Sequence, residues 1–332
     1  MVREQVFTFG QYLQNRFDSK VSKVPISISG FTCPNIDGTV AKGGCTFCEN
    51  DSFSPSLDKA KELKGFYLNL SSSENPYLEQ QLKQLEWQLT TLSKKLHDEV
   101  GAKKYIVYFQ SFTNTYAPLQ TLKALYEKAL SFENVVGISI GTRSDCINDE
   151  IFEYLSQLSK KTELWIEFGI QSVYDETLKK INRGHSSQNV KDTIIKAKKW
   201  NLNVCGHLIF GLPGENKEMM LETAKVAYDL GIDSVKYHPL YVVKRTALGN
   251  EYMRGEFTPI SEEMYLDVLC DALRMKPARV SVQRITAGIN DRNLFEVTDY
   301  FFREGYVALS NLNAEVQYDN LSVNYEKAVT VD

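Results

Sequence analysis

Short β-prone runs alternate with longer helical ones along most of this chain, and that rhythm limits the possible folds more than any other feature. The strand candidates are residues 25–29 (PISIS), 105–109 (YIVYF), 135–140 (VVGISI), 164–170 (LWIEFGI), 204–210 (VCGHLIF), 234–238 (SVKYH) and 279–283 (RVSVQ). Helical patterns fill the intervals at 78–100, 119–132, 149–159, 189–200 and 219–230. Near-continuous apolar strands between amphipathic helices predict a parallel sheet covered by helices. Six or seven such units predict an α/β chain of partial (β/α)6-type TIM-barrel form, which 332 residues can accommodate. The expected bounds are an N-terminal segment over 1–24, the barrel core over 25–255 and a short helical or irregular C-terminal extension over 256–332. Residues 57–73 read as a polar loop insertion, and after about residue 289 the rhythm fades into Asn- and Tyr-rich sequence.

Directly after the first strand candidate comes a cysteine loop, CPNIDGTVAKGGCTFC, in which Cys33, Cys45 and Cys48 have the spacing C-x11-C-x2-C. Three thiolates at short range suit an iron–sulfur cluster in which one iron lacks a protein ligand and stays open to a small molecule. Gly38, Gly43 and Gly44 would let the backbone pass close to inorganic sulfide, and Pro34 with the Asn-Ile-Asp-Gly turn stiffens the long gap. The competing readings are a zinc site, for which C-x2-C is a familiar half, and three thiols close by coincidence. A structural zinc wants a second ligand pair at similar spacing; none follows, although Glu49 or Asp51 could complete a tetrahedron. Cys146, Cys205 and Cys270 are far apart and read as lone buried thiols, so a second cluster is not expected.

Charge and hydropathy narrow the functional classes. No run of about eighteen apolar residues exists and the N-terminus lacks a signal-like apolar core, so a cytoplasmic protein without a membrane span is expected. The net charge of −4 argues against a chain wrapped in nucleic acid, while 38 Lys and Arg leave room for a local basic patch.

In a barrel, functional groups gather at the C-terminal strand ends. The peptide after the second strand candidate, FQSFTNTY, is dense in amides and hydroxyls. Gln110, Thr113 and Asn114 there could bind an amino group and a carboxylate, or simply cap the next helix. Arg143 in GTRSD could clamp a ligand carboxylate or pair with Asp145. GHLIFGLPGE brings Gly211 and Gly214, which allow backbone close to a ribose or an adenine. His185, His207 and His238, three of only four histidines, fall in strand-end peptides. His207, His238 and Lys236 are the catalytic candidates, with Tyr241, Lys244 and Arg284 as further candidate substrate contacts.

The cysteine loop resembles the radical S-adenosylmethionine (SAM) superfamily, whose usual spacing is C-x3-C-x2-C with an aromatic residue before the last cysteine; Phe47 stands in that place. The enlarged first gap and the signature CPNxDGT…GGCTFC are similar to the YhcC/YtqA-like branch, related to the catalytic subunit of the elongator complex. The resemblance runs from about Gly30 to Ala287. It implies a [4Fe-4S] cluster on Cys33, Cys45 and Cys48, SAM as cofactor, and a low-potential electron donor such as flavodoxin or ferredoxin. It also implies that Gln171 contacts the SAM ribose and Arg183 its methionine carboxylate, through a pattern similar to the G-x-Q…N-R of coproporphyrinogen oxidase and elongator-type enzymes. The implied activity is cleavage of SAM to a 5′-deoxyadenosyl radical, with the wobble-uridine side chain of a tRNA as the leading substrate. A small metabolite is the alternative substrate, and a zinc- or cluster-containing binding module without turnover the alternative function. No acetyltransferase-like segment is expected after the core, and RITAG gives way to INDRNLFEV where the branch continues with an acidic, Pro-containing stretch.

Overall fold

The computed structural model describes residues 6–48, 66–72 and 74–286. Seven strands form one parallel sheet in sequential order: β1 (Val21–Ile26), β2 (Lys104–Phe109), β3 (Val135–Thr142), β4 (Glu163–Gln171), β5 (Asn203–Phe210), β6 (Ser234–Pro239) and β7 (Ser281–Arg284). The sheet curls into a half-barrel, as the alternating pattern predicts. Its helices are α1 (Phe9–Phe17), α2 (Leu78–Val100), α3 (Leu119–Leu130), α4 (Asp149–Ser159), α5 (Asp175–Lys180), α6 (Ser187–Lys199), α7 (Lys217–Asp229), α8 (Ala247–Met253) and α9 (Glu262–Met275). Side-chain caps set several starts: Asn148 accepts from the Ile151 amide, Ser186 from Asn189 and Asn216 from Met219.

The first strand ends earlier than expected. Pro25 lies in it, on a sheet edge where its missing N–H costs no ladder bond. Beyond Ile26 the backbone leaves the ladder because glutamines of α2 take over its polar groups. Gln88 accepts from the Ser27 N–H at 2.9 Å and donates to its carbonyl at 2.7 Å. Gln84 accepts from the Ser29 N–H at 2.9 Å, and Gln81 donates to the Ser29 carbonyl at 2.6 Å. A buried turn into the cysteine loop is thereby satisfied without secondary structure. The sheet runs from Val21 to Arg284, so β1 begins within the segment drawn as N-terminal and β7 lies in the segment drawn as an extension. Of the insertion expected over 57–73, residues 66–72 are described. Leu68 there is fully buried and donates its N–H to the Gly30 carbonyl at 2.8 Å. The extension expected after residue 289 lies outside the described residues.

Along β4 the side chains divide by parity. Leu164, Ile166, Phe168 and Ile170 face outward into the main core under the helices, whereas Trp165 packs inward with Phe9, Leu13, Ile106 and Cys205. Helix α1 therefore plugs the N-terminal end of the barrel. Phe9 meets Trp165 edge-on at 5.0 Å, and Tyr12 does so at 5.4 Å. The preceding residues are tied to the last strand, Val282 donating to the Phe7 carbonyl at 2.9 Å. Glu163, buried at the plug, accepts from Tyr12 Oη at 2.7 Å and from Trp165 Nε1 at 2.8 Å. Replacing Trp165 with Ala should cost about 3–5 kcal/mol of unfolding free energy, read as a lower denaturant midpoint. The plug closes the N-terminal end of the lumen.

Candidate active site

The cysteine loop is held in place by its own backbone and by the turn after α5. The Cys33 carbonyl accepts from the Ile36 and Asp37 amides at 2.8 and 3.1 Å, and the Pro34 carbonyl accepts from Val40 at 2.9 Å. Thr39 is fixed by Asp37 and by the Tyr116 hydroxyl. Two asparagines then fasten the loop to the β4–β5 connection reciprocally. Asn35 Nδ2 donates to the carbonyls of Asn182 (2.5 Å) and Arg183 (2.9 Å), while Asn182 Nδ2 donates to those of Lys42 (3.0 Å) and Gly44 (2.7 Å). Between the last two thiols, the Thr46 amide bonds the Ile181 carbonyl and the Thr46 carbonyl accepts from Leu248. Gly184 is part of this clasp. It has φ +82°, and a Cβ there would lie 2.5 Å from Asn35 Oδ1 and 2.8 Å from Val40. Gly184→Ala should therefore loosen the loop, by more than about 1 kcal/mol from the left-handed conformation alone. Iron retained after anaerobic reconstitution and gel filtration measures it, with about a tenfold weaker hold expected.

Positive and amide donors converge on the thiols. Arg143 Nη1 lies 3.7 Å from Cys33 Sγ; Arg183 Nη1 and Asn35 Nδ2 each lie 3.7 Å from Cys45 Sγ. Arg143 also forms a bidentate pair with Asp145 at 2.8 and 2.7 Å and donates to the Arg183 carbonyl at 2.9 Å. Burial pushes the Asp145 carboxyl up, but the bonds and charge of Arg143 outweigh it and hold the group below its ordinary range. Of the two partners the sequence leaves open for Arg143, Asp145 is the one engaged, and the guanidinium still reaches a cysteine. Arg183 Nη2 bonds the Gly169 carbonyl at 2.8 Å.

These residues fit an iron–sulfur cluster. Hydrogen-bond donors pointed at cysteine sulfur complement thiolates that carry a cluster's charge. Arg183 Nε, Gln171 Oε1 and Thr32 Oγ1 nearby are buried without hydrogen-bond partners among the described residues. The only His/Cys/Asp/Glu trio among the described residues whose ligand atoms all lie within 4.8 Å of one another is Glu167, Cys205 and His207. At least one pair of the three loop sulfurs is therefore more than 4.8 Å apart, wider than the roughly 3.8 Å that tetrahedral zinc with 2.3 Å bonds imposes.

The other expected contacts divide. Gln171 has φ +65° at a bulge that ends β4, and its amide shares with Arg183 the space a Cβ on Gly169 would occupy, 2.7 Å from each. Asn114 spends its amide nitrogen on the carbonyls of Phe109, Ser111 and Gly141, all at 3.0 Å, so it ties two strand ends together. Thr113 donates its N–H to the Thr32 carbonyl and Gln110 to that of Ile26, which joins their loop to the cysteine segment. Phe47 packs against an apolar cluster that includes Ile181, Ile209 and Leu248. Gly211, φ +94°, backs onto Ile260 and lines a cleft of about 260 Å³ with Lys180, Glu215 and Glu256.

Deeper in the lumen, a charged layer lies across the barrel. Glu167 of β4 is fully buried. Its Oε1 accepts from Lys23 of β1 at 2.5 Å and from Ser139 of β3, and its Oε2 from His207 of β5 at 2.6 Å and from Lys236 of β6. Lys23 also donates to Gln283 of β7 at 2.5 Å. The Tyr108 ring lies 4.2 Å from Lys236 Nζ and 4.9 Å from Lys23 Nζ. The ring of His238 is 5.5 Å from that of His207. Burial pushes the Glu167 carboxyl up, yet the two ammoniums and His207 overcome it and hold the group well below its ordinary range. Burial, helped by Lys236, takes His207 down to about 4, so its neutral ring donates Nε2–H to Glu167. Burial lowers Lys236 to about 8 against the pull of Glu167.

The structure brings His207, His238 and Lys236 together, with His207 and Lys236 paired in mid-strand rather than at strand ends, and joins them to four groups outside the sequence-based candidates: Glu167, Lys23, Ser139 and Gln283. The available signal was an acid at an inward position of an otherwise apolar strand, LWIEFGI. Among the described residues no helix is long and apolar enough to cross a membrane.

A family model of the radical SAM superfamily matches residues 38–227, and one of the radical SAM C-terminal domain matches 232–308. YtqA of Bacillus subtilis is 37% identical over 279 residues, covering 84% of this chain and 80% of YtqA. A tRNA uridine(34) acetyltransferase of Methanocaldococcus infernus is 35% identical over 158 residues, 46% of this chain and 29% of that protein. The solved archaeal Elp3 of M. infernus superposes with a TM-score of 0.57 at 21% identity, over 90% of this chain and 65% of the Elp3 chain, a likeness of fold. With the cysteine loop at the mouth of a parallel half-barrel and a family match over more than half its length, the chain belongs to the radical SAM superfamily, in the branch that includes YtqA.

Proposed function

We propose that this chain cleaves SAM reductively at a [4Fe-4S] cluster held by Cys33, Cys45 and Cys48, and that the radical so made acts on the wobble-uridine side chain of a tRNA. One observation carries the first half: two guanidiniums and an amide each within 3.7 Å of a loop sulfur, above a lumen closed at its far end. When bound, the cluster supplies the electron that splits the sulfonium of SAM into methionine and a 5′-deoxyadenosyl radical. The chain's own residues set the conditions. Arg143 and Arg183 neutralise negative charge on the thiolates, and Gln171, with a buried acceptor oxygen, orients a donor such as a ribose hydroxyl. The plug of Phe9, Tyr12 and Trp165 keeps bulk water from the far end, so a carbon radical is not quenched before it reaches substrate. Glu167, saturated by its partners, fixes Lys236 and His207 at the wall.

The tRNA half is supported by the partial match to an enzyme named for uridine(34), and a soluble, cytoplasmic setting with flavodoxin or ferredoxin as reductant goes with it. The test is anaerobic: reconstitute with iron and sulfide, reduce, add SAM and total tRNA, then quantify 5′-deoxyadenosine and digest the tRNA for mass spectrometry. The expected result is 5′-deoxyadenosine formation that rises with tRNA and a changed uridine nucleoside. Stimulation by a metabolite extract depleted of RNA, with tRNA inert, would overturn the tRNA assignment. Retention of zinc in place of iron would overturn the whole reading.

A further inference from the structure

The buried charged layer has more hydrogen-bonding capacity than its own members use. Glu167 is saturated: each carboxylate oxygen already accepts two donors, Lys23 and Ser139 on one, His207 and Lys236 on the other. Lys236, 4% exposed, makes one hydrogen bond among the described residues, to Glu167, and leaves two ammonium hydrogens for another acceptor. Two neighbours are also unspent. His238 Nε2, two residues along the same face of β6, and Gln283 Nε2, whose amide oxygen holds Lys23, are both buried without a hydrogen-bond partner. Buried polar atoms left unpaired cost about 1–3 kcal/mol each, so two of them beside a half-used ammonium on one wall point to a missing acceptor.

The charge balance says which kind. Lys23 and Lys236 face a single carboxylate in this layer, and Tyr108 stands against both ammoniums. A cation is disfavoured. The trio Glu167, Cys205 and His207 is close enough to ligate a metal, but its carboxylate already holds two ammoniums and burial pushes the Cys205 thiol up to about 12, which keeps it protonated. We propose that Lys236, His238 and Gln283 form a subsite for an anionic oxygen group of carboxylate type, carried by the substrate side chain on which the radical acts. The inference rests on the radical reading only in placing the substrate in this lumen. The anion completes Lys236 and selects the Nε2–H tautomer of His238, and it positions the substrate against the barrel wall beneath the cysteine loop. The methionine end of SAM carries the same chemical group, so the experiment must separate the two sources.

The full-length chain without cluster, labelled with 15N in its histidines, is titrated with sodium acetate at constant ionic strength, and with acetamide as the neutral isostere. The expected result is a saturable shift of the His238 and His207 ring nitrogens with acetate and none with acetamide. Lys236→Met should weaken the acetate effect by about tenfold or more, as expected for one charge-assisted bond. Since Lys236→Met disturbs Glu167, His238→Asn serves as the second variant, read at His207, with thermal melting confirming that it is folded; it too should weaken acetate. In cluster-loaded enzyme, calorimetric titration with SAM should give the same affinity within about twofold at saturating acetate. Equal shifts with acetamide, no saturable shift, or unchanged affinity in His238→Asn would overturn the subsite. Competition between acetate and SAM would assign the site to the cofactor and overturn it as a substrate subsite. The histidine titrations need neither cluster nor turnover, so their outcome is independent of whether 5′-deoxyadenosine is formed.

Discussion

Cys45→Ala should abolish 5′-deoxyadenosine formation and leave the protein folded. Cys45 is the buried thiol of the loop, and two separate donors, Arg183 and Asn35, approach its sulfur. Losing a supporting group around a metal typically costs 10–100-fold, so losing the ligand itself should lower iron retention by more than about 100-fold. The fold should survive because the loop is anchored by main-chain and asparagine contacts that do not involve the thiol, from Asn35 to Asn182 and from Thr46 to Ile181. Cys270→Ala, on α9 and partly exposed, is the matched control and should hold iron as the parent does. Iron and sulfide assays, the visible absorption of the reconstituted protein and product chromatography measure the outcome. If Cys45→Ala keeps a full complement of iron, the loop is not the cluster site.

Glu167→Leu should destabilise the fold by about 3–5 kcal/mol, because it leaves two buried ammoniums without their shared counter-ion. Lys23 is 15% and Lys236 5% exposed at the side chain, so neither can regain water without opening the barrel. His207 loses its acceptor as well. Glu167→Gln keeps the shape and one carbonyl oxygen, so it should fall between parent and Leu. Chemical denaturation by circular dichroism measures both. Equal stability of Leu and parent would show that the layer is hydrated and that the carboxylate does not hold it together.

Much of this was legible from local pattern. Elements α2 and α4 fall at the expected residues, because amphipathic spacing and caps such as Asn148 act within a few positions. The strands were found to within a few residues for the same reason. Their ends were less legible: β1 stops at Ile26 because Gln88 and Gln84, some 60 residues on, take its backbone groups. The cysteine loop was plain in its spacing. Asn182-Arg183 resembles a known pattern, yet the place of Arg183 beside Cys45, and that of Asn35, depends on a contact between segments nearly 150 residues apart.

The sequence by itself determined that strands and helices alternate, which thiols lie close along the chain, and that two histidines and a lysine fall within the later strands; each follows from spacing along one segment. Only the tertiary structure decided that Lys23, Ser139, Glu167, His207, Lys236 and Gln283, on six different strands, form one buried layer. The physical reason is register. Whether an inward residue on one strand meets an inward residue on the next depends on how the strands align, and a shift of one residue would turn the whole set outward. A lone Lys or Glu within an apolar run looks like an exception, and the pairing of the sheet makes these into a single site.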